Sequence, residues 1–423
     1  MIHVVTGAQW GDEGKGKIVD LFSQKAHVIV RFHGGNNAGH TVINSFGSFP
    51  LHLVPCGVFT KKGISCITSG VVLDLDVLVA EITMLEKVLP HVRKRLIISP
   101  RCHVILPYHK LLDRLYEEAK GKSKTGTTGR GIGPVYADKV SYQGIRLNDF
   151  QDLNRLREKL IIALSIKNRI IQAFGERALD AEEILKVQME NYKKIKDMVR
   201  EPMSILFEAY KKKKTILYEG AQGMFLDNDW GTYPFVTASS TVAGSITASS
   251  GIPAQFINRV TGVTKAYTTR VGSGPFPTEL SDAVGEKLRA IGKEYGATTG
   301  RPRRCGWFDA ELVRFAAKVN GFSDLAITKI DVLDSFKTIR ICTGYTYKGK
   351  RVSYEDLDAY SLDEVHCVYK EMKGWMTPLG DIQKFSSLPK EAKAYLGELE
   401  KQTGTKVVTV SVGPDRKQTL YKK

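Results

Sequence analysis

Two short stretches near the beginning of the chain combine glycines with side chains that could bind or move charge. The first spans residues 7–17 and carries Asp12, Glu13, Lys15 and Lys17 among its glycines. Glycines allow backbone N–H groups to point at phosphate oxygens, and lysines add positive charge. An acid in such a loop would repel phosphate unless it holds a metal ion or takes a proton. The stretch therefore predicts a phosphate-binding loop with an added acid–base or metal-binding role.

The second stretch, residues 33–41, places two histidines and two asparagines among glycines directly after a strand-like run. Such polar side chains at the carboxyl end of a strand are typical of a ligand site in an open α/β sheet. His40 could act there as an acid near neutral pH. Each stretch alone has a structural alternative, because a glycine-rich turn is often only a turn and a lone histidine is usually structural.

Short strands and a helix must position these residues. Apolar runs at residues 2–5 and 28–32 predict buried strands before the two stretches, and residues 18–22 predict a helix after the first. Strand, glycine-rich turn and helix is the order of a P-loop. The P-loop pattern G-x-x-x-x-G-K-S/T is matched over residues 11–17 and fails at Ile18, which stands where a Mg²⁺-binding hydroxyl is expected.

The rest of the chain alternates strand-like runs with helical patterns, which predicts an α/β fold with a P-loop-like, largely parallel central sheet. Residues 1–99 and 204–265 are assigned to a nucleotide-binding α/β core, residues 100–203 to a mainly helical insertion, and residues 266–423 to a C-terminal α+β portion. Further strands are predicted at residues 65–68, 96–99, 215–218, 260–265, 325–328 and 407–410.

Within the insertion, a helix is predicted at residues 109–120, a flexible glycine-rich loop at residues 126–134, and helices from residue 152 to about residue 200. Apolar side chains spaced for one buried helix face support the last assignment. They are Leu153, Leu156, Leu160, Leu164, Ile184, Ile195 and Val199.

Composition restricts the class of protein. The 423 residues, 42% hydrophobic and 25% charged, are typical of a soluble protein with two or three subdomains. A signal peptide and an apolar stretch of membrane-spanning length are absent from the sequence, which predicts a cytoplasmic protein without a membrane partner. The six cysteines form no C-x-x-C pair and are interpreted as reduced thiols.

The net charge of +17 admits two interpretations, nucleic-acid binding or binding of small anionic ligands. Zinc-finger, RNP and basic-zipper patterns do not accompany the charge, and the dense run at residues 211–214 lies between a predicted helix and strand. Small polyanions are therefore favoured over a specific nucleic-acid partner.

The combination of WGDEGKGK with GGNNAGHT resembles the adenylosuccinate synthetase family, and matches continue in order along the chain. They lie near residues 125–134, 219–237, 296–304, 328–331 and 411–414. The resemblance implies a GTP-dependent ligase that joins IMP and L-aspartate to form adenylosuccinate, GDP and phosphate through a 6-phosphoryl-IMP intermediate. It also implies Mg²⁺ as cofactor and a homodimer. A regulatory P-loop GTPase is the alternative, which Ile18 and the arginine-rich stretch disfavour.

The resemblance also implies roles for individual residues. Asp12 is the general base that removes the N1 proton of IMP and a Mg²⁺ ligand, His40 is the acid partner, and the Gly39 carbonyl is a second Mg²⁺ contact. The implied GTP contacts are Gly11, Asp12, Glu13, Gly14, Lys15, Gly16, Lys17, Gly39, His40, Thr41, Arg303, Lys329, Ile330, Asp331, Ser411, Val412 and Gly413. The implied IMP contacts are Asp12, Lys15, Asn37, Gly39, His40, Thr128, Gln222, Thr237 and Arg301. The implied aspartate contacts are Ala297, Thr298, Thr299, Gly300, Arg301 and Arg303.

Two of these segments have a physical rationale of their own. Residues 328–331 match the N/T-K-x-D guanine reader, in which the acid accepts hydrogen bonds that guanine can donate and adenine cannot; alone, the motif is equally a strand-end turn with a surface acid. Arg301, Arg303 and Arg304 form a cationic cluster, and guanidinium groups suit the two carboxylates of aspartate.

One position departs from the family pattern. Family members commonly carry an arginine shortly after the segment matching residues 138–140, and it reaches the IMP 5′-phosphate of the neighbouring subunit. Tyr142 stands at that position. A tyrosine can donate one hydrogen bond but carries no charge, so the contact between subunits is absent or another group supplies it.

Overall fold

The structure is a computed structural model that describes residues 1–295 and 302–422. Its strands are β1 (Ile2–Gly7), β2 (Val28–Arg31), β3 (His40–Asn44), β4 (Gly47–Leu51), β5 (Ile64–Ile67), β6 (Val72–Leu73), β7 (Leu96–Ile98), β8 (His103–Val104), β9 (Ile216–Glu219), β10 (Ile257–Lys265), β11 (Thr268–Arg270), β12 (Arg304–Gly306), β13 (Phe308–Asp309), β14 (Asp324–Thr328), β15 (Thr338–Tyr347), β16 (Lys350–Val352), β17 (His366–Lys373), β18 (Val407–Ser411) and β19 (Thr419–Tyr421).

Helices cover both faces of the main sheet and form most of the insertion. They are α1 (Lys15–Ser23), α2 (Leu75–Glu86), α3 (Val92–Arg95), α4 (Pro107–Ala119), α5 (Ile132–Val140), α6 (Leu153–Ala173), α7 (Ala181–Ile195), α8 (Met203–Lys211), α9 (Ser245–Ser250), α10 (Ala283–Gly292), α11 (Ala310–Asn320), α12 (Ala359–Asp363) and α13 (Lys390–Thr403).

In the described residues the main sheet has nine strands in the order β19-β18-β14-β10-β1-β9-β2-β5-β7. Every neighbouring pair is parallel except β18 with β19. The predicted α/β class with a largely parallel sheet is confirmed. The central strands are continuous apolar runs because helices bury both of their faces, and every residue of β1 is buried.

The parallel arrangement determines where the loops meet. The carboxyl ends of β1, β2, β9, β14 and β18 lie at one edge of the sheet, since parallel strands point the same way. The glycine-rich and motif-bearing segments identified in the sequence follow these strands directly. The sheet thereby brings together segments that are hundreds of residues apart in the chain.

Three details of the predicted insertion are wrong. Val199, expected on a helix face, follows the end of the helices and forms an isolated β-bridge with Ile98. The loop predicted over residues 126–134 ends early, because Gly131 has φ 78° and caps α5, which begins at Ile132. Leu153, expected on the buried helix face, is the first residue of α6 and is 44% exposed. Leu156, Leu160 and Leu164 do pack into the same hydrophobic core as Leu78 and Ile82.

The state of the cysteines and the character of the helices relate to the predictions of reduced thiols and of no membrane-spanning segment. All six cysteines lie within the described residues and carry free thiols. In the described part of the chain, none of the helices combines the length and the apolar character needed to cross a membrane.

Candidate active site

The glycine-rich loop after β1 has an unusual backbone. Gly11, Asp12 and Gly14 all have positive φ values, of 88°, 58° and 84°. Such conformations are easy for glycine but costly for an aspartate, whose place there is therefore held by surrounding contacts. Gly14 caps α1, so the helix begins inside the loop at Lys15 and its free N–H groups face the same edge of the sheet.

Glu13 is turned into the protein rather than toward a ligand. Its fully buried carboxylate accepts hydrogen bonds from the backbone N–H groups of Gln9, at 3.0 Å, and Gly11, at 2.9 Å. Its other oxygen pairs with the Lys15 amine at 2.5 Å. A Cβ on Gly223 would lie only 2.3 Å from this carboxylate, so Gly223 leaves the space that Glu13 fills. The acid therefore shapes the loop.

Asp12 points the other way and meets an arginine from the C-terminal portion. Its Oδ2 lies 2.6 Å from Nε of Arg303, and Nη1 of Arg303 lies 2.9 Å from Oε2 of Glu294. Burial acts to lower the pKa of Arg303, but the charges of Asp12 and Glu294 outweigh it and raise the pKa. Arg303 is therefore a permanent cation between two carboxylates.

His40 is fixed by a buried carboxylate at the end of β9. Its Nδ1 lies 2.7 Å from Oε1 of Glu219, and the backbone N–H of Cys56 donates to Oε2 of the same residue at 2.7 Å. Arg31 places Nη1 3.5 Å from Oε1. A carboxylate only accepts, so Nδ1 carries the proton and Nε2 faces away with its lone pair.

The protonation of this pair follows from competing effects. Burial lowers the pKa of His40, and the hydrogen bond and charge of Glu219 act against that shift. Burial also acts to raise the pKa of Glu219, but His40 and Arg31 outweigh it and hold the pKa below its usual range. The lowered pKa of His40 favours the neutral imidazole, and the lowered pKa of Glu219 favours the ionised carboxylate.

Lys329 and Asp331 follow the buried strand β14, as the sequence predicts. Lys329 has φ 55° and donates to the Gly292 carbonyl at 2.8 Å and to Glu294 at 2.7 Å. Among the described residues, Oδ1 of Asp331 is buried without a hydrogen-bond partner. Burial raises the pKa of Asp331, with the charges of Lys17 and Lys329 acting against it. A buried carboxylate oxygen is costly unless a donor pairs with it, so this atom suits a ligand N–H.

Lys17 joins α1 to the segment after β18. Its amine donates to the Ser411 hydroxyl at 2.7 Å and to the carbonyls of Gly413, at 2.6 Å, and Gln418, at 2.9 Å. Burial lowers its pKa to about 8. The second lysine of the loop thus holds the segment that lies beside Asp331, because all three of its ammonium donors are used there.

Three of the predicted IMP contacts form one polar chain. The Gln222 amide donates to Oδ1 of Asn37 at 3.0 Å, and the Asn37 amide donates to the Thr237 hydroxyl at 3.2 Å. Thr128 lies in a loop held by α4, where the Thr127 hydroxyl donates to Asp113 at 2.9 Å.

The arginine-rich segment is only partly described. Ala297, Thr298, Thr299, Gly300 and Arg301 lie outside the described residues. Arg304 faces away from Asp12, since its guanidinium pairs with Glu279 and lies over the Phe276 ring with Cζ 5.5 Å from its centroid. Of the described arginines in this segment, Arg303 is the one that reaches Asp12.

The site includes acids that the sequence reasoning missed. Glu219 falls in the family-matching segment 219–237 without a role of its own, and Glu294 lies outside every segment that the sequence predicts to be functional. Neither belongs to a short motif with its partners, because Glu219 is 179 residues from His40 and Glu294 is 35 residues from Lys329. A buried acid before a glycine at the end of a strand, as in Glu219-Gly220, is the signal that could have indicated the first.

Tyr142 has a position that suits contact with another molecule. It follows α5 with φ 65°, and its side chain is 97% exposed. It lies on the rim of a cleft of about 530 Å³ whose lining includes Arg101, Lys139 and Arg146. Positive charge near Tyr142 therefore comes from neighbouring residues rather than from the position itself.

The residues implied for Mg²⁺ have suitable chemistry. The Asp12 side chain is 32% exposed, and one of its oxygens is held by Arg303. The space that a Cβ on Gly39 would enter is open, with no atom within 4 Å among the described residues. Mg²⁺ takes one or two protein oxygens and completes its coordination with water and phosphate oxygens, so these donors fit it.

Comparisons with known proteins agree along the whole chain. The family model described as adenylosuccinate synthetase matches residues 4–420. The adenylosuccinate synthetase of Geobacter sulfurreducens is 47% identical, over 99% of this chain and 97% of that protein. That of Clostridium novyi is 46% identical, over 99% and 98%. A fully ligated adenylosuccinate synthetase from Plasmodium falciparum has a TM-score of 0.94 and 35% identity, covering 100% of this chain and 99% of that one. A succinoaminodeoxyadenylate synthetase of cyanophage S-2L, at 19% identity and TM-score 0.62, shares the fold.

Proposed function

The chain belongs to the adenylosuccinate synthetase family. We propose that the residues at the carboxyl edge of its sheet carry out the reaction of that family. The protein is a GTP-dependent ligase that joins IMP and L-aspartate to form adenylosuccinate. The observation that carries this function is the match over residues 4–420, which includes every motif that the sequence singled out. The regulatory GTPase alternative is not supported.

The first proposed step activates IMP. Asp12 accepts the N1 proton of IMP, and the electron pair moves to the C6 oxygen, which attacks the γ-phosphorus of GTP. The bond to GDP breaks and 6-phosphoryl-IMP forms. For Asp12 to act in this way, its ion pair with Arg303 has to loosen, because Oδ2 is 2.6 Å from Nε of Arg303.

The second proposed step forms the C–N bond. The neutral amine of aspartate attacks C6, and the bond from C6 to the phosphorylated oxygen breaks. Phosphate leaves with the electron pair and takes up the proton that the nitrogen loses. His40 stabilises the oxygens of the phosphoryl group through Nε2, because the negative charge of phosphate raises the pKa of the imidazole and favours its protonated form. Glu219 supports the resulting imidazolium, since it already accepts from Nδ1.

The choice of GTP is assigned to Asp331. Its unpartnered Oδ1 would accept from a guanine N–H, and adenine presents no such donor there. Ser411, Val412 and Gly413 would close over the base in the position that Lys17 gives them. The phosphates would lie against the backbone of residues 11–17 and against Thr41, because the Glu13 carboxylate and the Lys17 amine are engaged within the protein.

The remaining assignments rest on the resemblance. Asn37, Gln222, Thr237, Thr128, Lys15 and Arg301 would contact IMP, and Arg303 together with residues 297–301 would hold the carboxylates of aspartate. Asp12 and the Gly39 carbonyl would hold Mg²⁺, which when bound neutralises charge on the transferring phosphoryl group.

Assembly, location and domain division are also proposals. A homodimer is proposed from the family and from the exposure of Tyr142. A cytoplasmic location is proposed from the family. The division into a core of residues 1–99 and 204–265, an insertion of residues 100–203 and a C-terminal portion of residues 266–423 is proposed from the sequence pattern. A specific nucleic-acid partner is not part of the proposal.

The test is a spectrophotometric assay of the purified protein. The absorbance change on formation of adenylosuccinate should require IMP, aspartate, GTP and Mg²⁺ together, and one equivalent of phosphate should be released for each product molecule. Omitting any one substrate is the control, and ATP in place of GTP tests the base preference. GTP hydrolysis that proceeds equally without IMP and aspartate would contradict the proposal.

A further inference from the structure

A second buried acid lies behind the site. Glu294 follows α10, and its side chain is completely buried. Its Oε1 accepts from the amines of Lys265, at 2.9 Å, and Lys329, at 2.7 Å, and from the Tyr267 hydroxyl at 2.5 Å. Its Oε2 accepts from Nη1 of Arg303 at 2.9 Å. This carboxylate thus has four donors, three of them cationic.

The donors keep the carboxylate charged. Burial acts to raise the pKa of Glu294, but the charges of Lys265, Lys329 and Arg303 outweigh it and hold the pKa far below its usual range. A buried charge is tolerated only when it is paired and hydrogen-bonded, as this one is. Because both oxygens accept hydrogen bonds, the carboxylate is fixed in orientation as well as in charge.

The two oxygens serve two different parts of the site. On one side, Arg303 continues from Glu294 to Asp12, with Nε 2.6 Å from Oδ2. On the other side, Lys329 lies two residues before Asp331 and has a left-handed backbone conformation that turns the chain toward that acid. One carboxylate therefore connects the proposed base with the proposed guanine reader through a single cation on each side.

We propose that Glu294 is a positioning residue that fixes Arg303 relative to Lys329, so that binding of GTP at Asp331 is energetically coupled to the arrangement of Arg303 and Asp12. The inference rests on the proposed function for the identity of the ligands. The Glu294 carboxylate accepts from protein donors, so it would act on the ligands through Arg303 and Lys329.

A purely structural role is the competing explanation, because Glu294 also neutralises the fully buried Lys265. The two roles predict different effects on thermal stability and on the KM values of the substrates. Loss of a structural charge lowers thermal stability and affects the three substrates alike. Loss of a positioning contact raises the KM values for GTP and aspartate, the proposed ligands near Lys329 and Arg303. The KM for IMP should change less, because most of the proposed IMP contacts, such as Asn37 and Gln222, are held by other partners.

The first experiment measures steady-state kinetics of Glu294→Gln, varying each substrate in turn. Loss of hydrogen bonds from charged groups predicts KM values for GTP and aspartate raised by about tenfold or more, with the KM for IMP changed by less than about threefold. Glu371→Gln, which removes a surface ion pair with Arg340, is the matched control and should leave all three unchanged. Equal changes in all three KM values would overturn the proposal.

Glu294→Asp covers the case in which the glutamine variant does not fold. It keeps the charge but withdraws the carboxylate by about 1.5 Å, the length of one C–C bond. The same selective rise in the KM values for GTP and aspartate is expected. Kinetics identical to the wild type in this variant would show that the position of the carboxylate does not matter, and would overturn the proposal.

A double-mutant cycle tests the coupling directly. Lys329→Met and Arg303→Lys are combined in the wild-type background, with the apparent KM for GTP and for aspartate as readouts. In the wild-type background, the fold-change in KM of the double variant should differ from the product of the fold-changes of the two single variants. In the Glu294→Asp background, it should equal that product. Changes that multiply in both backgrounds would refute coupling through Glu294. An inactive wild type would instead refute the proposed function, so the two failures are distinguishable.

Discussion

Nδ1 of His40 lies 2.7 Å from Oε1 of Glu219, a carboxylate that is completely buried and 179 residues away in the chain. The contact fixes which ring nitrogen carries the proton and leaves Nε2 for the ligand. It also gives His40 a counter-charge in a site where burial lowers the pKa of the imidazole. Histidine and glutamate therefore act as a pair.

The first prediction concerns that pair. Glu219→Gln keeps the shape and one hydrogen-bond acceptor but removes the charge that stabilises a protonated His40. We expect kcat to fall by about tenfold to hundredfold, with little change in KM. Because Glu219 raises the pKa of His40 against the effect of burial, its loss should move the alkaline limb of the kcat–pH profile to lower pH. An unchanged kcat and profile would show that the carboxylate does not act on His40.

The second prediction concerns the base. Asp12→Asn should lower turnover on the order of 10²-fold or more, because the amide cannot accept the N1 proton. The circular dichroism spectrum should stay near that of the wild type. Asp381→Asn, at an exposed position, is the control and should retain full turnover. Near-normal turnover of Asp12→Asn would remove Asp12 from the mechanism.

The third prediction uses the unpartnered oxygen of Asp331. In Asp331→Asn the side chain can donate where it formerly only accepted. The variant should therefore bind GTP more weakly and favour xanthosine triphosphate, whose C2 oxygen accepts a hydrogen bond. Competition kinetics with both nucleotides measure the preference, and a ratio unchanged from the wild type would mean that Asp331 does not read the base.

The fourth prediction concerns Lys17. Lys17→Met removes the donor that holds the Ser411 hydroxyl and the carbonyls of Gly413 and Gln418. The KM for GTP should rise by about tenfold, while that for IMP stays within about twofold. Since burial lowers the pKa of Lys17 to about 8, GDP binding by the wild type should also weaken as the pH rises above that value. This alkaline loss should be absent in Lys17→Met, which calorimetric titration at several pH values would check.

The fifth prediction concerns stability rather than activity. Asp309 caps α11 and accepts from the Tyr345 hydroxyl at 2.6 Å, and burial raises its pKa to about 7. An unfolded aspartate has a pKa of about 3.9, so between these values the native state binds the proton more tightly. This group's contribution to the free energy of unfolding is therefore full below about pH 4 and is lost as the pH rises toward 7.

In denaturant titrations, the free energy of unfolding of Asp309→Asn should lack this decrease with rising pH. The N-cap itself is retained, because asparagine is a good N-cap residue. Asp282→Asn, at the exposed N-cap of α10, should keep the wild-type dependence. Identical pH dependence in wild type and Asp309→Asn between pH 4 and 7 would contradict the assignment.

The sequence by itself determined the α/β class and the position of the main strands. Buried parallel strands are continuous apolar runs, and the runs predicted at residues 2–5, 28–32 and 325–328 fall within or overlap β1, β2 and β14. The glycine-rich loop was equally readable, because positive φ values require particular residues at particular places. These properties are local, because they depend on residues that are neighbours in the sequence.

Only the tertiary structure decided which charged groups meet. Asp12 is paired with Arg303, Glu219 with His40, and Lys17 with residues 411–418, across separations of at least 179 residues. No local pattern distinguishes Glu13, which turns inward to hold the loop, from its neighbour Asp12, which turns outward. The order of the strands in the sheet sets both the neighbours and the burial of each side chain, and burial together with those neighbours sets its charge.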